Sequence, residues 1–370
     1  MTTWFSAADC RLEDFRAVVE QKTDLNDYPH AGDVVDNVLI YPGTTANTLA
    51  TQAELARALM DGPGIVVFKD AFVHDVVDRA TAVFADLITE QRAAGVLGGD
   101  HFAKPGANDR VWGALDKFAV RDPAAFAAYY DNDMLALISS AWLGTGYQVT
   151  SQINVVNPGG QAQVSHRDYH LGFMSQEQAL RYPAHIHRLS PLLTLQGAVA
   201  HVDMPVETGP TLYLPHSQKY EAGYVAFHQP EFTEYFEANH VQLALAKGDA
   251  AFFNPAVFHG AGTNRSADVR RMANLLQISS GFGRAMETVD RTAMSLALYP
   301  VLQTFPGSVD NVIAASAEGY AFPTNLDHDQ PIGGLAPPTQ AELVRQALAE
   351  GWSADRFGAA LRDQQERRGS

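Results

Sequence analysis

The spacing of apolar and polar positions divides the chain into three stretches. Over the first 145 residues apolar positions recur at helical spacing. VHDVVDRATAVFADLITEQRAAG (73–95) and DPAAFAAYYDNDMLALISSAWLG (122–144) each predict a helix with one buried stripe. TQAELARALMDGPG (51–64) predicts another, opened by a capping box of Thr51 and Glu54, closed at Gly-Pro-Gly and followed by IVVF (65–68) as a short buried strand. From 147 onward the period shortens. YQVTSQINVVN (147–157), QAQVSHRDYH (161–170), LLTLQGAVAHVD (192–203), TLYLP (211–215), VQLAL (241–245), AAFFN (250–254) and ANLLQIS (273–279) predict a series of strands separated by Gly, Pro, Asn or Asp. So many short strands in one block suggest a sandwich or barrel. After residue 282 the pattern returns to helix, broken at 321–338, and the last helical stretch opens on a second TQAE box, Thr339 and Glu342. The expectation is a mainly β core with flanking helices, as one domain over 1–370. It comprises a helical N-terminal region to about 145, the β core to about 280, and a helical C-terminal region.

Composition narrows the function classes. The 370 residues carry 42 Asp+Glu against 26 Lys+Arg, a net charge of −16. That balance argues against nucleic acid or an anionic membrane surface as a partner; it says little about a small-molecule substrate, because a local basic pocket can sit on an acidic protein, and it leaves the oligomeric state open. The single cysteine, Cys10, makes an intramolecular disulfide impossible and excludes Cys₄ or Cys₂His₂ zinc sites. With no secretory signal pattern and no long uncharged apolar run, a cytoplasmic protein is expected.

The stretch SHRDYHLGF (165–173) carries the candidate chemistry. On a strand, His166 and Asp168 point to one face and could hold a metal side by side. An HxD pair alone is weak, and the chain contains a second, His201 and Asp203. A non-haem Fe(II) site needs two His and one carboxylate on one face of the octahedron, with open positions for a co-substrate and O₂. In GDAAFFNPAVFHGAGTNRSADVRR (248–271) a strand runs into a small-residue loop that would deliver His259, and Arg270 follows where the next strand should begin. A guanidinium there could clamp a dicarboxylate through two parallel hydrogen bonds. Together these are the parts for iron plus 2-oxoglutarate.

Several ordered blocks resemble the phytanoyl-CoA dioxygenase superfamily of Fe(II)/2-oxoglutarate oxygenases. GIVVFKDAF (64–72) is similar to its first strand, INVVNPGGQAQVSHRD (153–168) to its HxD segment, and HVDMPVETGPTLYLPHSQ (201–218) to its Gly-Pro turn. The 248–271 segment resembles its distal-histidine and arginine stretch. The resemblance implies a double-stranded β-helix (jelly-roll, cupin-like) core. It implies Fe(II), 2-oxoglutarate and O₂ as cofactors, with His166, Asp168 and His259 as the metal ligands and Asp203 as a structural carboxylate. Family spacing selects Arg270 for the distal carboxylate of 2-oxoglutarate, with the adjacent Arg271 as the alternative. Gln152 and Asn154 match positions that contact the co-substrate. A hydroxyl residue often stands two positions after the distal histidine, where this chain has Ala261, so Thr194 or Thr263 is expected to compensate. Tyr169, His170, Phe173 and Met174 are expected at the substrate pocket, with 171–191 as a lid or wall. Related halogenases lack the carboxylate of Asp168, so its presence implies hydroxylation of a C–H bond in a small metabolite or natural-product intermediate. Two other readings stay open: a cupin-like metalloenzyme that does not use 2-oxoglutarate, and a non-catalytic binding protein on the same fold.

Overall fold

The computed structural model describes residues 3–95 and 108–369. Its strands are β1 (Asp33–Val35), β2 (Val38–Pro42), β3 (Ile65–Lys69), β4 (Asn108–Val111), β5 (Gln148–Val156) and β6 (Thr194–Ala200). The remainder are β7 (Thr211–Leu214), β8 (Val241–Gln242), β9 (Ala250–Phe253), β10 (Phe258–Ala261) and β11 (Arg271–Ser279). Eight form one sheet in the order β1-β2-β3-β9-β6-β11-β5-β4, and three form a second in the order β10-β7-β8. A cavity lies between them, lined from β5, β6, β9 and β11 on one side and from β7 and β10 on the other.

Strand β11 is the spine of the large sheet. It pairs antiparallel with β5 from Arg271 opposite Val156 to Ser279 opposite Gln148, and with β6 along its other edge. Because successive residues face opposite ways, Arg271, Ala273, Leu275 and Gln277 line the cavity. Met272, Leu276 and Ile278 face outward into the main hydrophobic core. Helices from both ends of the chain cover that outer face, and Leu55, Phe84, Phe118, Phe126, Leu137 and Leu298 join the same cluster. Each fully buried side chain of this size contributes roughly 1.5–3 kcal/mol. A second cluster, including Phe15, Leu171, Tyr224 and Phe258, backs the small sheet.

The expected strand block is present, but helices hold more of the described residues than strands do, so the fold is mixed rather than mainly β. Nor is the N-terminal region only helical, since it supplies β1 to β4 to the large sheet. The β1–β2 hairpin forms over DVVDNVLI. Asp36 and Asn37 form its two-residue turn with φ of 49° and 68°, the left-handed geometry such turns require. Residues 122–144 divide into two helices, Pro123–Tyr130 and Asp133–Leu143, because the Asn132 side chain accepts from Leu135 N–H and caps a new start. VQLAL pairs only at Val241–Gln242, with Leu245 bridged separately to Met204.

The two TQAE stretches behave differently. At 339–342 the capping box forms as expected. At 51–54 the cap is Thr48, which accepts from Thr51 N–H. Glu54 lies inside the helix, buried, where it accepts from Tyr41 Oη at 2.9 Å and pairs with His30 Nδ1 at 2.7 Å. Among the described residues no helix is long and apolar enough to cross a membrane.

Candidate metal centre and its cavity

The 161–170 segment is not a continuous strand. His166 and His259 form a single antiparallel bridge, each N–H donating to the other's carbonyl at 2.9 and 3.1 Å. Asp168 N–H then donates to Pro255 O at 2.9 Å, and the chain leaves the sheet, with Tyr169 and His170 at φ of 63° and 44°. These few bonds bring the HxD segment onto the loop-proximal end of β10.

His166, Asp168 and His259 offer ligand atoms that all lie within 4.8 Å of one another. His166 Nε2 is 3.9 Å from Asp168 Oδ1, and His259 Nε2 is 3.6 Å from Oδ2. Both imidazoles are oriented in the same way: His166 Nδ1 lies 2.9 Å from Val164 O, and His259 Nδ1 lies 2.9 Å from Val257 O. A carbonyl only accepts, so each Nδ1 carries a proton and each Nε2 is turned toward the shared point beside the Asp168 carboxylate. Burial raises the Asp168 pKa. The His259 hydrogen bond, the nearby His166 and His259 charges and the Gln196 amide outweigh it and hold the carboxyl at about 2. Gln196 Nε2 donates to Asp168 Oδ2, fixing the carboxylate plane. Two imidazole Nε2 atoms and one ionised carboxylate on one side of an open cavity are the donor set that suits ferrous iron.

Arg167, between the candidate ligands His166 and Asp168, faces the opposite way. It is 2 % exposed, donates through Nη2 to the carbonyls of Ser217 and Tyr220, and lies over the rings of Tyr224 and Phe258 at 5.2 and 5.1 Å. Burial lowers its pKa to about 10. A Cβ on Gly223 would stand 1.9 Å from its guanidinium carbon, so this glycine is required for the close approach.

Of the two candidate arginines, Arg271, the alternative, lines the cavity and Arg270 does not. Strand β11 begins at Arg271, and that residue points inward. Arg270 is 54 % exposed, donating to Asn157 Oδ1 at 3.1 Å and to Asp109 Oδ2 at 3.0 Å outside the cavity. Arg271 lines the cavity, is 6 % exposed, and donates through Nη1 to Thr208 O at 3.3 Å and Gly262 O at 3.4 Å. Burial lowers its pKa to about 10, and no carboxylate of the described residues pairs with it. A desolvated guanidinium held only by neutral carbonyls is suited to an anion.

The other expected residues divide. Gln152 and Asn154 line the cavity on β5; Asn154 Oδ1 is buried without a hydrogen-bond partner, while Gln152 contacts Arg110 and Met286. Thr194 is buried but outside the cavity lining. It pairs with Ser279, eight residues along β11 from Arg271, about 27 Å at the usual rise of ~3.4 Å per residue. Phe173 stands at the cavity mouth. His170 instead bonds Ser190 Oγ through Nδ1 at 3.1 Å, Met174 packs on the second core, and Tyr169 is buried behind the metal segment. None of these three lines the cavity, because the turn after Asp168 takes them out of the strand direction. Residues the sequence reading passed over include Gln196 on β6, Thr211 and Tyr213 on β7, and Arg110, Trp112 and Met286 at the mouth. The signal for Gln196 was present: TLQGAVA places one amide in an otherwise apolar strand.

The second HxD is not a metal pair. Asp203 Oδ1 accepts from Lys247 N–H at 2.9 Å, the structural role expected of it, although on a different turn. His201 is 1 % exposed, between Thr81 Oγ1 at 2.8 Å and Tyr129 Oη at 2.9 Å. Burial pushes its pKa from 6.5 down to about 3, so it is neutral when folded. The unfolded chain therefore binds one more proton between those two values, and stability falls as pH drops through that window. His201→Gln should lose about 2 kcal/mol less than the wild type between about pH 7 and about pH 5, read from urea unfolding midpoints.

The sequence profile of the phytanoyl-CoA dioxygenase (PhyH) family matches residues 60–272, more than half of the chain. The chain belongs to the phytanoyl-CoA dioxygenase family. Membership implies Fe(II), 2-oxoglutarate and O₂ as cofactors, and His166, Asp168 and His259 form a matching donor cluster. A curated relative in this comparison is dioxygenase cdmD of Talaromyces verruculosus, 33 % identical over 117 residues. The match covers 31 % of this chain and 34 % of cdmD, so it spans about a third of that relative. Among solved structures, the non-heme alpha ketoglutarate dependent carbocyclase SnoK from nogalamycin biosynthesis is 18 % identical, covering 61 % of this chain and 83 % of SnoK, with a TM-score of 0.43. AviO1 from Streptomyces viridochromogenes is 16 % identical, covering 64 % of this chain and 97 % of AviO1, with a TM-score of 0.42.

Proposed function

We propose that the protein is an Fe(II)/2-oxoglutarate-dependent dioxygenase that hydroxylates a C–H bond of a small, partly apolar metabolite or natural-product intermediate. The observation that carries this reading is the convergence of His166, Asp168 and His259 on a cavity that also contains the buried, carboxylate-free Arg271. With iron bound, the chemistry supplied is oxidative decarboxylation: 2-oxoglutarate and O₂ give succinate and CO₂, and one oxygen atom enters the substrate C–H bond.

The chain's own residues then have distinct tasks. His166 and His259 present Nε2, and Asp168 supplies the carboxylate at the position a halide takes in related halogenases, which lack it. Gln196 keeps that carboxylate in plane. Arg271, with Asn154 nearby on β5, receives the distal carboxylate of the co-substrate. Exposed apolar side chains at the mouth, Trp112, Phe173 and Met286, favour a substrate with an apolar body.

Anaerobic addition of Fe(II) and then 2-oxoglutarate should produce a weak visible charge-transfer band. Admitting O₂ with a candidate substrate should release succinate and give a product heavier by one oxygen atom. No band in the wild-type protein would overturn the reading. A product lacking two hydrogens instead would leave the dioxygenase class standing and remove the hydroxylase.

A further inference from the structure

One rung of the large sheet crosses the cavity beside the candidate metal ligands. Phe253 on β9 pairs with Gln196 on β6, and Gln196 pairs with Gln277 on β11. All three line the cavity. Two of them touch the His-Asp-His cluster: the ring centroids of Phe253 and His259 lie 4.7 Å apart, and Gln196 donates to Asp168 Oδ2. Gln277 is the third, one strand further on, about 4.8 Å away at the usual strand spacing. Along β11 it stands six residues from Arg271, about 20 Å at the usual rise of ~3.4 Å per residue. The two polar side chains that this strand turns into the cavity therefore occupy opposite ends.

The other amide of β11, Asn274, faces the outer side and is engaged there, accepting from Ser151 Oγ at 2.6 Å and donating to Tyr129 Oη at 3.2 Å. Gln277 differs. It is 7 % exposed, and its Oε1 is buried without a hydrogen-bond partner among the described residues. Thr150, opposite on β5, donates its hydroxyl to the Gln277 backbone carbonyl at 3.0 Å, not to the amide. Gln196 Oε1 is likewise buried without a partner. The ionised Asp168 carboxylate only accepts, so Gln196 must turn Nε2 to it and keep Oε1 as an acceptor. A buried acceptor left without a donor costs about 1–3 kcal/mol, and here two stand on neighbouring strands beside the metal ligands.

We propose that Gln277, with Gln196 beside it, accepts a hydrogen bond from a hydroxyl or N–H group of the substrate and so holds the neighbouring C–H at the metal. The substrate class is then an apolar body, seated on Trp112, Phe173 and Met286, that carries a neutral hydrogen-bond donor close to the carbon that reacts. This rests on the oxygenase reading above. The probes are two matched pairs: 3-phenylpropanol beside its methyl ether, and N-(2-phenylethyl)acetamide beside its N-methyl derivative. Each pair keeps the body and removes the donor, and the two pairs separate hydroxyl from N–H. Binding to protein loaded anaerobically with Fe(II) and 2-oxoglutarate is read from the shift of the charge-transfer band. The wild type should bind at least one donor about tenfold more tightly than its methylated partner. Gln277→Met, which keeps the length of the side chain, and Gln277→Leu should each erase that preference while retaining the band and the affinity for the methylated probes. No preference for either donor in the wild type, or a preference that survives both substitutions, would overturn the assignment. A wild type that gives no band with 2-oxoglutarate would instead remove the oxygenase reading itself, so the two failures are distinguishable.

Discussion

Replacing Arg271 with methionine is expected to abolish detectable 2-oxoglutarate binding, while Arg270→Ala leaves it intact. The two arginines are neighbours in sequence, but the first residue of β11 points inward and the one before it does not. Arg271 is desolvated and has only carbonyls beside it, so an incoming carboxylate meets a guanidinium whose charge nothing else neutralises. Truncating one partner of such a charge pair costs roughly 2–5 kcal/mol, or about 30- to 5,000-fold in affinity. Arg270, itself exposed, pairs outside the cavity with the buried Asp109, a carboxylate that Arg92 also binds at 2.6 Å, so removing Arg270 leaves that charge paired. Methionine fills much of the arginine stem's volume and removes a buried charge, so thermal stability should hold or rise. Titration calorimetry with 2-oxoglutarate, beside a melting curve, separates these outcomes. A loss confined to Arg270→Ala would place the co-substrate elsewhere.

Asp168→Ala should lose iron altogether. The substitution removes one of three ligands and leaves Gln196 Nε2 and two imidazoles around a space with no anionic donor. Loss of an outer partner of a metal ligand typically costs about 10–100-fold in metal affinity, and loss of the ligand itself should exceed that. His201→Gln, in the other HxD pair, should bind iron as the wild type does, because His201 is enclosed between Thr81 and Tyr129. Iron content after anaerobic loading and desalting measures both. Full iron retention by Asp168→Ala would remove it from the ligand set.

Local pattern carried more of the fold than of the site's edges. Strands β5, β6, β7 and β9 were readable because alternation and turn residues act within a few positions. Arg271 was not, because which of two adjacent arginines begins a strand depends on how many residues the preceding loop takes up. Here Asn264 organises that loop, accepting from Ser266 N–H at 3.1 Å and donating to Val269 O at 2.9 Å. The same limit explains TQAE at 51–54: Thr48, three positions earlier, caps first, and Glu54 is then taken by His30 and Tyr41, partners that no local window contains. The place of Gln277 beside Gln196 could be found only once β6 and β11 were set in register. The candidate His-Asp-His cluster could be picked out only because the first HxD is followed by a distant His and an arginine in the order the family resemblance implies, even though the strand expected to carry two of its members is a single bridge.

The placement of Arg167 bears on how iron would arrive. A flexible ligand loop must be ordered when the ion binds, and that entropy is subtracted from affinity. Here Arg167, the residue between the candidate ligands His166 and Asp168, is locked into the core behind the small sheet by two carbonyls and two aromatic rings. Folding itself thus brings His166 and Asp168 to their positions, and the metal-free protein should be as rigid at this segment as the loaded one. Iron can then enter and leave a finished socket, so a protein stripped of metal during purification should regain it on simple addition, without refolding.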